Sequence, residues 1–450
     1  MEITQKTKKY LFTNENLYRL IFPLIVEQFL LVTVGLADSI MTASIGETAV
    51  SAVSLVDSIN ILIINIFTAL ATGGAVVAGQ YLGQKKENKA CQSADQLMLF
   101  LFLSSITVMI IVYLSKYFIL YIVFGNIEQD VMNYSNTYLT IVFMSIPFIA
   151  IYNGGAALFR AMGNSKITMK ISIMMNLINL IGNYFLIYVF KMGIAGAAIP
   201  TVFSRVVAAV VIFILIRNDS LQIHLSKRIC KKFDRVLIRK ILYIGVPNGM
   251  ENGMFQLGKI IVLNLIATFG TTAIAANAVA NAVGLFQIIP GMAISQATLS
   301  VTSQCIGAGD YDQTKYYTKK LVKISTICIL LTVIVTFISM PLILNAYNLS
   351  DYTAKISMDI ILYHGSLAII IWTASFVLPN TLRAANDVKF CMIVAIFSMW
   401  IFRIGFSYVL GRYMNIGVLG VWVAMSIDWI FRSVCFIIRY KGSKWKLNEI

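Results

Sequence analysis

The sequence predicts an all-α membrane protein: twelve transmembrane helices in two parallel-repeat, six-helix lobes around a central cavity. Three observations predict it. Of 450 residues, 58% are apolar and only 12% charged, whereas soluble domains carry about 25% charged residues. Apolar runs long enough to cross a bilayer recur along the whole chain. Residues also recur at one fixed spacing, so the second half of the chain repeats the first.

Apolar windows place spans at 17–41, 48–78, 94–121, 131–155, 168–189, 194–216, 241–268, 272–302, 318–343, 356–380, 390–410 and 417–438. The runs are too long, and alternate too little, for barrel strands. The net charge of +16 sits between the runs. Bases follow the even-numbered spans: Lys85, Lys86 and Lys89, then Arg160, Lys166 and Lys170, then Lys227, Arg228, Lys231, Lys232, Arg235, Arg239 and Lys240. Lys315, Lys319, Lys320 and Lys323, then Arg383 and Lys389, and finally Arg439, Lys441, Lys444 and Lys446 continue the pattern. The opposite loops hold Glu47, Glu128, Asp130 and Asp351. The positive-inside rule then puts both termini in the cytoplasm. Topology accounts for these bases, so no nucleic-acid partner is expected.

The first span follows Lys6, Lys8 and Lys9 and lacks a short apolar region with a cleavage site, so an uncleaved helix is expected. The six cysteines, Cys91, Cys230, Cys305, Cys328, Cys391 and Cys435, show no CxxC spacing, and His224 and His364 are the only histidines. A soft-metal site is not expected, and the cysteines read as small packing residues. No GxxxxGK[ST] phosphate loop occurs, so direct ATP use is not expected. No nucleophile–base pair stands at membrane depth, so the chain does not read as an enzyme.

The repeat pairs Pro23 with Pro247, Glu27 with Glu251, Gly46 with Gly270, Gln80 with Gln304, Gly83 with Gly307, Gly193 with Gly417 and Gly196 with Gly420, all 224 residues apart. LFRAMGNSK at 158–166 matches TLRAANDVK at 381–389. Six spans per copy make the repeat parallel, related by an axis along the membrane normal. We therefore read an N-terminal lobe over 1–216, a cytoplasmic connector over 217–240 and a C-terminal lobe over 241–450. Two such lobes with a cavity between them suit a rocker that alternates access.

The first span carries two acids, Glu27 and Asp38. An intramembrane acid costs at least ~2.5 kcal/mol and marks a functional site by default. Pro23, and Gly35 one turn before Asp38, loosen that helix.

These residues resemble the multidrug and toxic compound extrusion family along essentially the whole chain. The carriers are GLADSIMTASIG with Asp38 fifteen residues after Pro23, QYLGQKK after span two, LFRAMGNSK after span four, GIAGAAIPT at the start of span six, and their second-half echoes. The resemblance implies an antiporter, coupled to protons or sodium, that exports organic and often cationic compounds across a bacterial plasma membrane as a monomer without a cofactor. It also implies a first-lobe ion site of Asp38, Asn179, Asn183, Thr201 and Tyr138, with Asn153 as a looser match. The spacing agrees, because Asn179 and Asn183 share one helix face. Their oxygens could ligate a small cation, or the cluster could hold a proton on a desolvated carboxyl. Family members often have an acid where Asn183 stands, which tilts the reading towards protons.

The second lobe departs from the family's sodium-coupled branch. The acid positions of spans seven and ten fall on Gln256 and near Trp372, and Arg403 and Ser407 are the repeat mates of Asn179 and Asn183. Coupling is therefore placed in the first lobe. Glu27 and Glu251 read either as local structural hydrogen bonders or as gating or substrate-attracting groups. Arg403 either snorkels or pairs with Glu251 or Asp428, and Asp428 pairs with Arg432 one turn on. Asp57 is expected to face the cavity. Met250, Met254, Phe255, Phe286, Met292 and Trp372 either line a greasy cleft or merely pack. Gly73, Gly74, Gly154 and Gly155 read as close-packing positions. The alternative function is a flippase for lipid-linked oligosaccharides, which needs a ring of bases, and chiefly Arg403 is expected there, so this reading is disfavoured.

Overall fold

The computed structural model describes residues 10–125, 127–226, 233–347 and 349–447. Lys6, Lys8, Lys9, Lys227, Arg228, Cys230, Lys231 and Lys232 lie outside the described residues.

Twelve long helices carry the fold: α1 Asn14–Ala43, α2 Glu47–Gly83, α3 Glu87–Leu114, α4 Gln129–Ala161, α5 Ser165–Val189, α6 Ile194–Ile216, α7 Arg235–Ala267, α8 Thr271–Gly307, α9 Tyr311–Ile338, α10 Asp351–Ala384, α11 Val388–Tyr413 and α12 Val418–Lys441. They overrun the apolar windows at several ends, as α2 does by continuing to Gly83, because a helix keeps its hydrogen-bond ladder after its side chains turn polar. Eleven are long and apolar enough to cross a membrane. The exception is α7, whose 33 residues suffice in length but whose middle carries Asn248, Glu251, Asn252, Gln256 and Lys259. All five line a cavity rather than lipid.

The stretch read as a connector over 217–240 is shorter than expected, because α7 begins at Arg235. Asp234 sets that start: its carboxylate accepts from the backbone N–H of Val236 at 2.9 Å and Leu237 at 3.2 Å, two of the donors a helix leaves unpaired.

The repeat is visible in the backbone. Gly193 and Gly417 open α6 and α12 with φ of +56° and +69°, a region that favours glycine. α5 widens into π-helix over Tyr184–Val189, and α11 does so over its repeat-equivalent end, Ser407–Tyr413. The four packing glycines meet neighbours directly: Gly73 meets Ile241 and Gly245, Gly74 meets Leu97, Gly154 meets Leu101 and Met98, and Gly155 meets Ile212.

The lobes close on each other where α2 and α8 end. A Cβ on Gly83 would stand 2.0 Å from the Gln304 carbonyl oxygen, and one on Gly307 would stand 2.0 Å from that of Gln80. Each glutamine also reaches across. Gln80 Nε2 donates to the Ala384 carbonyl at 2.8 Å, and Gln304 Nε2 donates to the Ala161 carbonyl at 2.6 Å. Ala161 and Ala384 are equivalent positions in the two RA turns of the repeat. The repeated glycine and glutamine thus build one reciprocal crossing.

Candidate functional site: an acid cluster and a basic cleft

Gly182 on α5 faces Pro200 on α6, whose Cβ lies 2.7 Å from where a Gly182 Cβ would be. That close approach sets Thr201 beside Asn179. One turn on, Asn183 Nδ2 donates to Asp38 Oδ1 at 2.9 Å. In the orientation that turns its nitrogen to the carboxylate, the Asn179 amide donates to Asp38 Oδ1 at 2.9 Å and Oδ2 at 3.1 Å, and its oxygen accepts from the Thr201 hydroxyl at 3.0 Å. Asn179 and Asn183 are buried, while Asp38 is half-buried at the wall of a cavity of about 460 Å³ in the N-terminal lobe. The Asn183 Oδ1 atom is buried and accepts no hydrogen bond, a cost that buried polar groups ordinarily avoid.

Tyr138 and Asn153 lie near this group but make their hydrogen bonds elsewhere. The Tyr138 hydroxyl points to Asp57 Oδ1 on α2, at the long limit of 3.5 Å. Asn153 lines the same cavity but donates to Thr68 Oγ1 at 3.1 Å. A short 3-10 turn, Phe143–Ser145, lies between the two on α4 and resets the helical phase, so their faces could not be counted off from either end.

Sequence reading missed Arg205. It sits one turn after Thr201, donates to Ser145 Oγ at 2.7 Å, and acts electrostatically on both Asp57 and Asp38. The signal was present: a base inside the apolar run IPTVFSRVVAAV is as costly as an acid. Asp38 therefore belongs to a set of two acids and one base.

Glu27 and Glu251 are each held by the arginine of their own RA turn. Arg160 Nη1 lies 3.4 Å from Glu27 Oε1, and Thr168 donates to Glu27 Oε2 at 2.9 Å. Arg383 Nη2 contacts Glu251 Oε1 at 2.7 Å and Oε2 at 2.8 Å. Removing one partner leaves the other charge uncompensated. Arg383→Gln should therefore destabilise the chain by about 3 kcal/mol, read as a lower unfolding temperature in detergent, with part of the loss recovered by adding Glu251→Gln.

A second cavity, of about 480 Å³, lies in the C-terminal lobe and takes in Glu251, Gln256, Trp372 and Arg403. Phe255 and Met292 also line it, whereas Met250, Met254 and Phe286 are not among its lining residues. Arg403 pairs with Asp428 rather than Glu251, Nε to Oδ2 at 3.9 Å, and Arg432 Nε donates to Asp428 Oδ1 at 2.9 Å. Arg403 is not the chief intramembrane base, because Lys259 and Arg432 line the same cavity. Gln296 lines both cavities.

The MatE family model matches residues 23–185 and again 247–409. The chain belongs to the MatE family. The two matched segments begin at Pro23 and Pro247, the anchors of the internal repeat. Among similar proteins, an uncharacterized transporter, YisQ, of Bacillus subtilis is 27% identical, covering 96% of this chain and 94% of that protein. A probable multidrug resistance protein, NorM, of Thermotoga maritima is 21% identical over 97% of this chain and 94% of its own length. A solved structure described as MATE in complex with MaL6 superposes with a TM-score of 0.88 at 19% identity, covering 96% of this chain and 97% of that one. MatE proteins are multidrug efflux transporters with twelve helices in two lobes, so this chain is an integral multi-pass membrane transporter and not an enzyme.

Proposed function

We propose that this MatE protein is an antiporter that exports small organic compounds by alternating access, driven by protons in preference to sodium, with Asp38 as the coupling group. The observation that carries the reading is the Asp38 carboxylate, held by the Asn179 and Asn183 amides with the Asn183 oxygen left unpartnered beside it. A proton on Asp38 would let the Asn183 amide turn over, so that its oxygen accepts where its nitrogen now donates. A bare metal cation needs oxygen ligands on most sides, and here the nearby amide nitrogens point at the carboxylate and compete with it.

The cycle follows from that exchange. Proton uptake neutralises Asp38 and loosens its charge-assisted bonds to α5. α1 then bends near Gly35, the N-terminal cavity reorganises, and substrate leaves. Opening to the other side lets the proton go. Each charge moved is driven by about 2.3 kcal/mol per 100 mV. With cytoplasmic termini, the Gly83–Gly307 crossing lies at the inner face, so this form is closed inward. The flippase alternative gains no support from the N-terminal cavity, where Arg160 and Arg205 both face acids.

Reconstituted vesicles test the coupling ion. Dye transport should follow an imposed pH gradient with sodium absent. Transport that requires sodium and ignores pH would assign the site to sodium.

A further inference from the structure

The C-terminal cleft holds more positive charge than the protein itself balances. Three cations surround the single ring of Phe255: Lys259 Nζ is 5.1 Å from its centroid, and the Arg403 and Arg432 guanidinium carbons are 4.9 and 5.9 Å away. One ring offers two faces, and cation–π attraction is worth about 0.5–2 kcal/mol, too little to offset three charges at membrane depth. The acids facing the cleft do not balance them. Asp428 serves both arginines, and Glu251 is consumed by Arg383. His364 lines the cleft as well, with its Nδ1 against Gln287 Oε1 at 2.7 Å. Among the described residues Lys259 makes no ion pair. Two buried donors on the cleft wall, Arg403 Nη1 and Trp429 Nε1, have no acceptor, and the unpartnered acceptors near them, Gln296 Oε1 and Asp428 Oδ2, leave Lys259 without an anion.

Unsatisfied buried donors beside uncompensated cations are completed by anionic oxygens. The lining is also aromatic: Trp372 stacks on Phe376 at 4.9 Å, and Trp422 and Trp429 line the same cleft. A cavity of about 480 Å³ is the size that takes a drug-sized molecule.

We infer that the C-terminal cleft binds an organic anion, a carboxylate or phosphate on an aromatic or apolar body, with Lys259 and Arg403 meeting the anionic group. The expectation of cationic cargo came from family resemblance, whereas the charges of this cleft select the opposite sign. That the anion is cargo rests on the antiporter reading; that it binds does not.

The test uses the purified full chain and two fluorescent probes of opposite charge, carboxyfluorescein and ethidium. Carboxyfluorescein should bind, and Lys259→Gln should weaken it about tenfold, the worth of one charge-assisted contact. Lys259→Glu should abolish carboxyfluorescein binding. Lys259 is open to the cavity and makes no ion pair, so both variants should fold; a second variant, Arg403→Gln, should act in the same direction. Binding of ethidium with no binding of carboxyfluorescein, or affinities unmoved by Lys259→Gln, would overturn the inference. Displacement of the dye by phosphatidylglycerol, but not by soluble aromatic carboxylates, would support the anion site and assign it to a lipid phosphate. Transport in phosphatidylcholine vesicles separates the two readings. If carboxyfluorescein binds in a Lys259-dependent way and no gradient drives either dye, the anion site stands and the antiporter reading fails. If a gradient drives ethidium and carboxyfluorescein does not bind, the antiporter reading stands and the anion site fails.

Discussion

Asp38→Asn should abolish gradient-driven export while the protein still folds and inserts. The substitution keeps the shape and an acceptor oxygen but removes the charge that can be exchanged. It also confronts the Asn183 amide with a group that is half donor, so the 2.9 Å bond from Asn183 survives only if the new amide turns its oxygen inward. Net charge-assisted bonding falls by about 1–2 kcal/mol, a loss a twelve-helix protein tolerates. Uphill transport, by contrast, requires the site to change occupancy between the two faces, so flux against a gradient should drop to the leak of empty vesicles. Downhill exchange of labelled for unlabelled substrate could persist, and comparing the two fluxes separates lost coupling from lost binding. Normal uphill export by Asp38→Asn would remove this residue from the mechanism.

The second large effect is expected at the crossing of α2 and α8. Alanine is intrinsically better than glycine inside a helix by about 0.5–1 kcal/mol. At Gly83 or Gly307 its Cβ would nevertheless stand 2.0 Å from a backbone carbonyl oxygen of the other lobe, and backbone cannot rotate away as a side chain can. Gly83→Ala and Gly307→Ala should therefore hold this end apart, populate the opposite form, and cut transport about tenfold, the effect of about 1.4 kcal/mol on the balance between the two forms. The measurement is transport rate together with labelling of a cysteine introduced beside the crossing, which should become more reactive. Full activity with alanine at both positions would show that the close crossing does not belong to the cycle.

The helices and the repeat were legible because both are one-dimensional signals. Length of apolar run gives a span, and a fixed spacing gives a duplication. Asn179 and Asn183 were legible for a similar reason, since positions four apart share a helix face. Other features depend on three-dimensional phase. Tyr138 and Asn153 fall on either side of a 3-10 turn, so Tyr138 turns to Asp57 and Asn153 to Thr68. Arg160 and Arg383 look like loop bases by position, yet their side chains fold back onto Glu27 and Glu251. Arg205 and Lys259 were lost among apolar neighbours when bases were counted only between spans, and Arg432 was read only as the partner of Asp428. Their long side chains reach cavities, which makes an internal base compatible with an otherwise lipid-facing helix.

The central claim is that protonation of Asp38 sets which side of the membrane is open. It is tested most directly by the distance between spin labels on Glu47→Cys and Thr271→Cys, at the ends of α2 and α8 remote from the Gly83–Gly307 crossing, with the native cysteines replaced. In the otherwise unaltered chain the distance distribution should shift between alkaline and acidic buffer without sodium, and Asp38→Asn should show the acidic distribution at every pH. A distribution that shifts with pH equally in both proteins would contradict it.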